Sequence, residues 1–86
     1  MTESREHRLK RLSMRSMRRG IKEMDIILSR YAQQRLQGFD DAALDRYDAL
    51  LSENDQDLYQ WVSGQKSPPA GLRDLITDIS EVAFQR

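Results

Sequence analysis

Few side chains in this 86-residue chain have the chemistry that catalysis needs, and those few are poorly placed for it. The one histidine, His7, stands in a polar opening stretch where nothing would orient its ring as a general base. Cysteine is absent, which removes disulfides, thiolate zinc sites, iron–sulfur clusters and a cysteine nucleophile together. Asp41, Asp45 and Asp48 fall on one helix face at spacings of four and three. These carboxylates are too few for an oxygen cage, and a solvated face opposite an apolar stripe is the commoner outcome. Glu53, Asp55 and Asp57 match part of a calcium loop, without its glycine or its closing glutamate. Neither a glycine-rich phosphate loop nor a dinucleotide fingerprint occurs. The chain is expected not to be an enzyme and to hold no metal.

What the chain does offer is a charged octapeptide inside a basic arm. "RRGIKEMD", Arg18 to Asp25, sets a glycine between a double arginine and a run with two acids. A glycine inside a helix costs about 1 kcal/mol against alanine, so Gly20 is expected at a helix end, in a left-handed cap or tight turn. Arg19 and Glu23 lie four residues apart and could form an exposed pair of small energetic worth. Residues 1–22 hold eight bases against Glu3 and Glu6, a net of +6, while the rest hold six bases against twelve acids, a net of −6. Such a split points to an acidic partner, a nucleic acid, or the protein's own acidic half. Arg8, Arg11, Arg15, Arg18 and Arg19 form a stripe that could follow a phosphate backbone, so a small nucleic-acid-associated regulator is the rival reading. Against it, no aromatic residues interleave the stripe, and no helix-turn-helix recognition pattern is evident.

The elements that would position these residues are all helical. From about Arg8, Leu9, Leu12 and Ser16 recur at spacings of three and four, with Met14 and Met17 beside them. A second helix carries Ile21, Met24, Ile27, Leu28, Tyr31 and Ala32 on one side and fades near Gly38. Asp40 or Asp41 can cap a third, with Ala43, Leu44, Tyr47, Leu50 and Leu51 as its apolar face. A turn over residues 52–55 leads to a short fourth helix, where Leu58, Trp61 and Val62 face inward and Tyr59 shows an edge. Ser67-Pro68-Pro69 signals the start of a fifth, bearing Leu72, Leu75, Ile76, Ile79, Val82 and Ala83. No segment alternates as a half-buried strand would. The expectation is an all-α fold: one small domain of about five short helices over residues 8–86, behind a flexible segment 1–7.

No apolar run approaches the roughly 20 residues that span a bilayer, and no secretory core opens the chain. Glu3 and Glu6 argue against a transit sequence, so a bacterial cytoplasmic location is expected, with no membrane insertion.

"RRGIKEMDIIL", together with "ENDQDLYQWVSG" and "PPAGLRDLI" downstream, resembles the SdhE family of succinate dehydrogenase assembly factors. The family's Arg-Gly-x-x-Glu signature is matched by Arg19, Gly20 and Glu23, and the likeness runs from about Arg8 to Val82. It implies a five-helix chaperone that promotes covalent attachment of FAD to the flavoprotein subunit of succinate dehydrogenase, with fumarate reductase as a second candidate client. FAD would belong to the partner, with no cofactor bound by this chain. The implied docking surface is Arg19, Gly20 and Glu23, flanked by Arg18, Ile21, Lys22 and Asp25. The free chain would be a monomer with no nucleic-acid partner.

Overall fold

Three of the five helices begin where the sequence supplies an acceptor for their first free amides. The Ser4 hydroxyl accepts from the His7 amide (3.1 Å), the Asp40 carboxylate from Ala43 (2.8 Å), and the Asn54 side chain from Gln56 (2.8 Å). These caps open α1 (Arg5–Arg15), α3 (Asp41–Leu51) and α4 (Asp55–Val62). Two further helices, α2 (Lys22–Arg35) and α5 (Arg73–Ala83), start without a side-chain cap, and single 3₁₀ turns lie at Leu36–Gly38 and Ala70–Leu72. The computed structural model describes residues 3–84, and among them the fold is five helices with no strand.

Helix α1 starts one turn ahead of Arg8, because Ser4 caps it there, so Arg5 to His7 form its first turn. Residues 1 and 2 of the segment set aside from the sequence as flexible, and residues 85 and 86 at the far end of the expected domain, lie outside the described residues. Helix α5 starts at Arg73, after a 3₁₀ turn, because Pro69 is extended (φ −54°, ψ 148°) and holds the chain out of the helix. Gly64, at φ 84°, adopts the left-handed conformation that closes α4, and the next two amides, of Gln65 and Lys66, return to the Gln60 carbonyl.

Helix α2 is the centre of the molecule and packs against α1, α4 and α5. Met24, Leu28, Tyr31 and Ala32 are its buried face, joined in one core by Leu12, Leu44, Leu50, Leu51, Leu58, Val62, Ile76, Ile79 and Val82. Tyr31, Phe39 and Tyr47 form a triangle of rings with centroids 5.7–6.2 Å apart. Their polar ends are satisfied: Tyr31 donates to Asp78 (2.6 Å), and Tyr47 lies 2.5 Å from the buried Ser16 hydroxyl. Ser16 gives its own proton to the Leu12 carbonyl (2.8 Å), which makes Tyr47 the donor to Ser16. Trp61 packs against the core on the inward side expected for it, but is only half-buried. In an eight-residue helix, Leu58 and Val62, one turn apart, take the inner stripe and leave Trp61 at its margin.

Burial pushes the Tyr47 phenol up to about 12, and burial with the Asp78 hydrogen bond raises Tyr31 as well. An unfolded tyrosine ionises near pH 10, so the folded state holds these protons more tightly than the unfolded chain does. The stability they contribute is complete below pH 10 and is lost as the pH climbs through the folded values. The unfolding free energy from urea titration is therefore expected to stay flat from pH 8 to 9.5 and to fall above 10, by at most about 1.4 kcal/mol per unit for each such tyrosine. A Tyr47→Phe chain should show a shallower fall; an unchanged slope would remove Tyr47 from the account.

Helix α1 is tied on mainly by charge. Leu12 is its one fully buried apolar residue, with Leu9 half-buried beside it. Five arginines reach across to the segment that runs alongside. Arg5 donates to the carbonyls of Gln37 (3.0 Å) and Phe39 (2.7 Å), and Arg8 pairs with Asp45. Arg11 and Arg15 share Asp48, Arg15 also reaches Ser52, and Arg19 meets Asp55. Partners ascend together, so α1 and α3 run side by side in the same direction. Two of the three α3 acids that the spacing had offered to a metal, Asp45 and Asp48, are thus paired with arginines of the same chain. Glu3 joins the ladder: the Arg11 guanidinium, hydrogen-bonded to it, holds its carboxyl below the usual range and is itself raised.

Candidate functional site

The segment between α1 and α2 is short and bent at an unexpected residue. Helix α1 ends at Arg15, with Ser16 as its last αR residue, and α2 begins at Lys22. The left-handed position is Arg18 (φ 56°), a conformation that costs a residue with a Cβ of order 1 kcal/mol or more. Gly20 has no positive φ, so the expectation of a left-handed glycine cap is corrected. The reason for glycine is spatial. Its amide donates to Asp55 Oδ2 at 2.6 Å, and a Cβ built on it would sit 3.1 Å from that same oxygen. An alanine there would push the carboxylate back by a few tenths of an ångström.

Asp55 is the first residue of α4, where an acid also complements the helix dipole. Its two oxygens divide their work. Oδ1 takes Arg19 through Nε (2.8 Å) and NH2 (2.7 Å), while Oδ2 takes the Gly20 amide. The Arg19 guanidinium completes its set with the carbonyls of Arg15 (3.1 Å) and Leu51 (3.1 Å). Both side chains are largely removed from solvent, 11% exposed for Arg19 and 16% for Asp55. One guanidinium thus fastens the end of α1, the end of α3 and the start of α4 to one another.

The signature residues therefore separate. Arg19 turns inward and pairs with Asp55, not with Glu23; Ile21 is extended (φ −120°, ψ 130°) between them, so the spacing of four is not a helical turn. Arg18, Gly20, Lys22 and Glu23 are exposed, and Ile21 is half-buried beside the core. Asp25 is half-buried and accepts from Ser29 (3.3 Å), one turn further along α2. Lys22, Glu23 and Asp25 ride on the first turn of α2, fixed by the burial of Met24. Gly20, Ile21, Asn54, Asp55 and Gln56 line a shallow depression at this end. Asp55 was missed as a site residue: in "ENDQDL" it reads as part of a turn and a cap, and only the fold brings it to Gly20. Among the described residues no three His, Cys, Asp or Glu gather as a metal site, and no helix is long and apolar enough to cross a membrane.

The basic stripe has lost the form a phosphate backbone would need. Arg8, Arg11, Arg15 and Arg19 are all paired with carboxylates of the same chain. The protein's own acidic half is the partner of its basic arm, and the nucleic-acid reading is left without support.

A family model described as flavinator of succinate dehydrogenase matches residues 10–83. The chain is similar to a protein of Meyerozyma guilliermondii named succinate dehydrogenase assembly factor 2, mitochondrial, with 46% identity over 61 residues. That match covers 71% of this chain and 45% of the relative. Proteins of the same name from Mycosarcoma maydis and Drosophila grimshawi are 39% and 38% identical over 69 and 80 residues. They cover 80% and 91% of this chain and 29% and 52% of their own lengths. The chain thus spans about half, or less, of these curated relatives. Their names and origins overturn the expectation of a bacterial cytoplasm, since they are mitochondrial proteins of fungi and a fly. Glu3 and Glu6, which had argued against a mitochondrial address, belong to the folded domain: Glu3 holds Arg11, and Glu6 lies in the first turn of α1. They carry no information about address.

Proposed function

The chain belongs to the flavinator of succinate dehydrogenase family, and from that membership we propose that it helps FAD become covalently attached to the flavoprotein subunit of that enzyme. It acts as a docking chaperone and not as the catalyst of the bond. The observation that carries this reading is the division within Arg19, Gly20 and Glu23. Arg19 is spent on holding the linker in shape, so Gly20 and Glu23 stand exposed on a fixed backbone, with exposed Arg18 before them and exposed Lys22 between them. A rigid, exposed backbone without a side chain at its centre suits close approach by another protein. FAD remains with the partner in this reading, and the helper works by favouring the partner conformation that closes on the cofactor. A preference of about 3 kcal/mol for that conformation raises its population roughly a hundredfold when it starts rare.

The test is flavin fluorescence of the denatured flavoprotein subunit, resolved on a gel, from cells with and without this gene. Loss of the covalent signal without the gene, restored by the wild-type chain, is the expected result. An unchanged signal would sink the reading for this client, and the same gel for fumarate reductase decides whether it is a second one. Glu23→Ala should lower the restored signal while moving the melting temperature by little, because Glu23 is exposed and makes no hydrogen bond or ion pair among the described residues. Full restoration by Glu23→Ala would remove it from the surface.

A further inference from the structure

We infer that Asp55 is a positioning residue for the docking surface, and that the need for glycine at position 20 against a small side chain is set by Asp55 and not by the partner. The inference rests on the docking reading above. Three observations carry it. Asp55 is the one side chain that holds both halves of the Arg19-Gly20 pair, through separate oxygens. The Gly20 amide is its ligand at 2.6 Å, although Gly20 itself is exposed to solvent. Among the described residues, chain neighbours aside, the one atom within 4 Å of a Cβ at position 20 is Asp55 Oδ2, so a methyl group there presses on this clamp alone.

The clamp also counters the strain next to it. Arg18 sits in a left-handed conformation, which a free linker would leave for a relaxed one. With the Gly20 amide and Arg19 both fixed on α4, the linker cannot relax without breaking a charge-assisted pair on each side. Losing Asp55 frees residues 18–21, and the exposed residues of the signature then scatter over several backbone conformations. Only a fraction of molecules would present the surface, so the partner's apparent affinity drops by that fraction.

The experiment is a double-mutant cycle read in reconstituted flavinylation, with purified flavoprotein subunit, FAD and graded amounts of the full chain. Gly20→Ala and Asp55→Ala are each expected to raise the half-saturating concentration about tenfold, while the rate at saturation stays near wild type. The double variant should be no worse than Asp55→Ala alone, because the oxygen that the methyl group displaces is already gone. Multiplying effects, about a hundredfold for the pair, would overturn the inference and assign the glycine requirement to the partner. A half-saturating concentration unchanged by Asp55→Ala would overturn it as well. Asp55→Asn guards against a chain that does not fold: it keeps the shape but cannot serve both donors as a carboxylate does, and it should fall between wild type and alanine. An intermediate or alanine-sized effect from a fully folded Asp55→Asn supports the clamp, whereas full wild-type behaviour would overturn it. A wild-type chain that fails to stimulate flavinylation overturns the docking reading itself. The clamp is then decided by hydrogen exchange at the Gly20 amide, expected slow in wild type and fast in Asp55→Ala; equal rates in both would refute it.

Discussion

Replacing Gly20 by arginine is expected to reduce covalent flavin on the client to the level found without the chain, while far-UV circular dichroism keeps its helical shape. The residue lies outside every helix and is exposed, so no core packing depends on it. Its Cβ would already press on Asp55 Oδ2, and the longer side chain adds a second guanidinium beside a carboxylate that Arg19 now occupies. Competition for Asp55 loosens the linker, and the side chain stands where the partner's backbone would come close. Both effects act on docking and neither acts on the helices. A Gly20→Arg chain that loses its helical signal would move the residue's importance from the surface to the fold. One that restores covalent flavin fully would remove Gly20 from the surface altogether.

Leu28→Ala should cost about 3 kcal/mol of stability. Leu28 is fully buried at the middle of α2, the helix that packs against α1, α4 and α5, and a close-packed interior cannot fill the space without neighbours leaving their own contacts. A domain of 86 residues has roughly 5–10 kcal/mol in total, so the variant would lose about a third to two-thirds of its stability. Urea unfolding followed by helical signal measures it directly. A loss under about 1 kcal/mol would mean that the packing around α2 differs from the one described here. In cells, such a variant should lower covalent flavin through lower abundance, and more chain should rescue it. Gly20→Arg should not be rescued in that way.

The helical core was legible because α2, α3 and α5 repeat their apolar residues at the period of a helix. Met24, Leu28, Tyr31 and Ala32 are buried as their spacing requires, and so are Leu44, Tyr47, Leu50 and Leu51. Capping residues marked α3 and α4 at Asp40 and Asn54. What could not be read was anything joining distant segments. Spacing shows that Asp45 and Asp48 share a face, yet nothing local says that arginines 33–37 residues earlier meet them. The Arg19–Glu23 pairing failed for a related reason. Four residues make a turn only inside a helix, and α2 does not begin until Lys22. The role of Gly20 was half legible: glycine announced a constraint on space or on φ, but the structure decides for space, with an oxygen from residue 55 as the constraint.

The clamp at Gly20 also sets an order of events during folding. Its two sides lie 35 residues apart in the chain, and the arginines of α1 reach partners 32–37 residues further along. Contacts of that separation close a large loop and form late, after the local helices. The exposed signature therefore has no defined shape until α4 has been made and has docked on the linker. A partner that recognises this shape passes over every nascent or half-folded copy of the helper, so the contact that arranges the surface also withholds it until folding is complete.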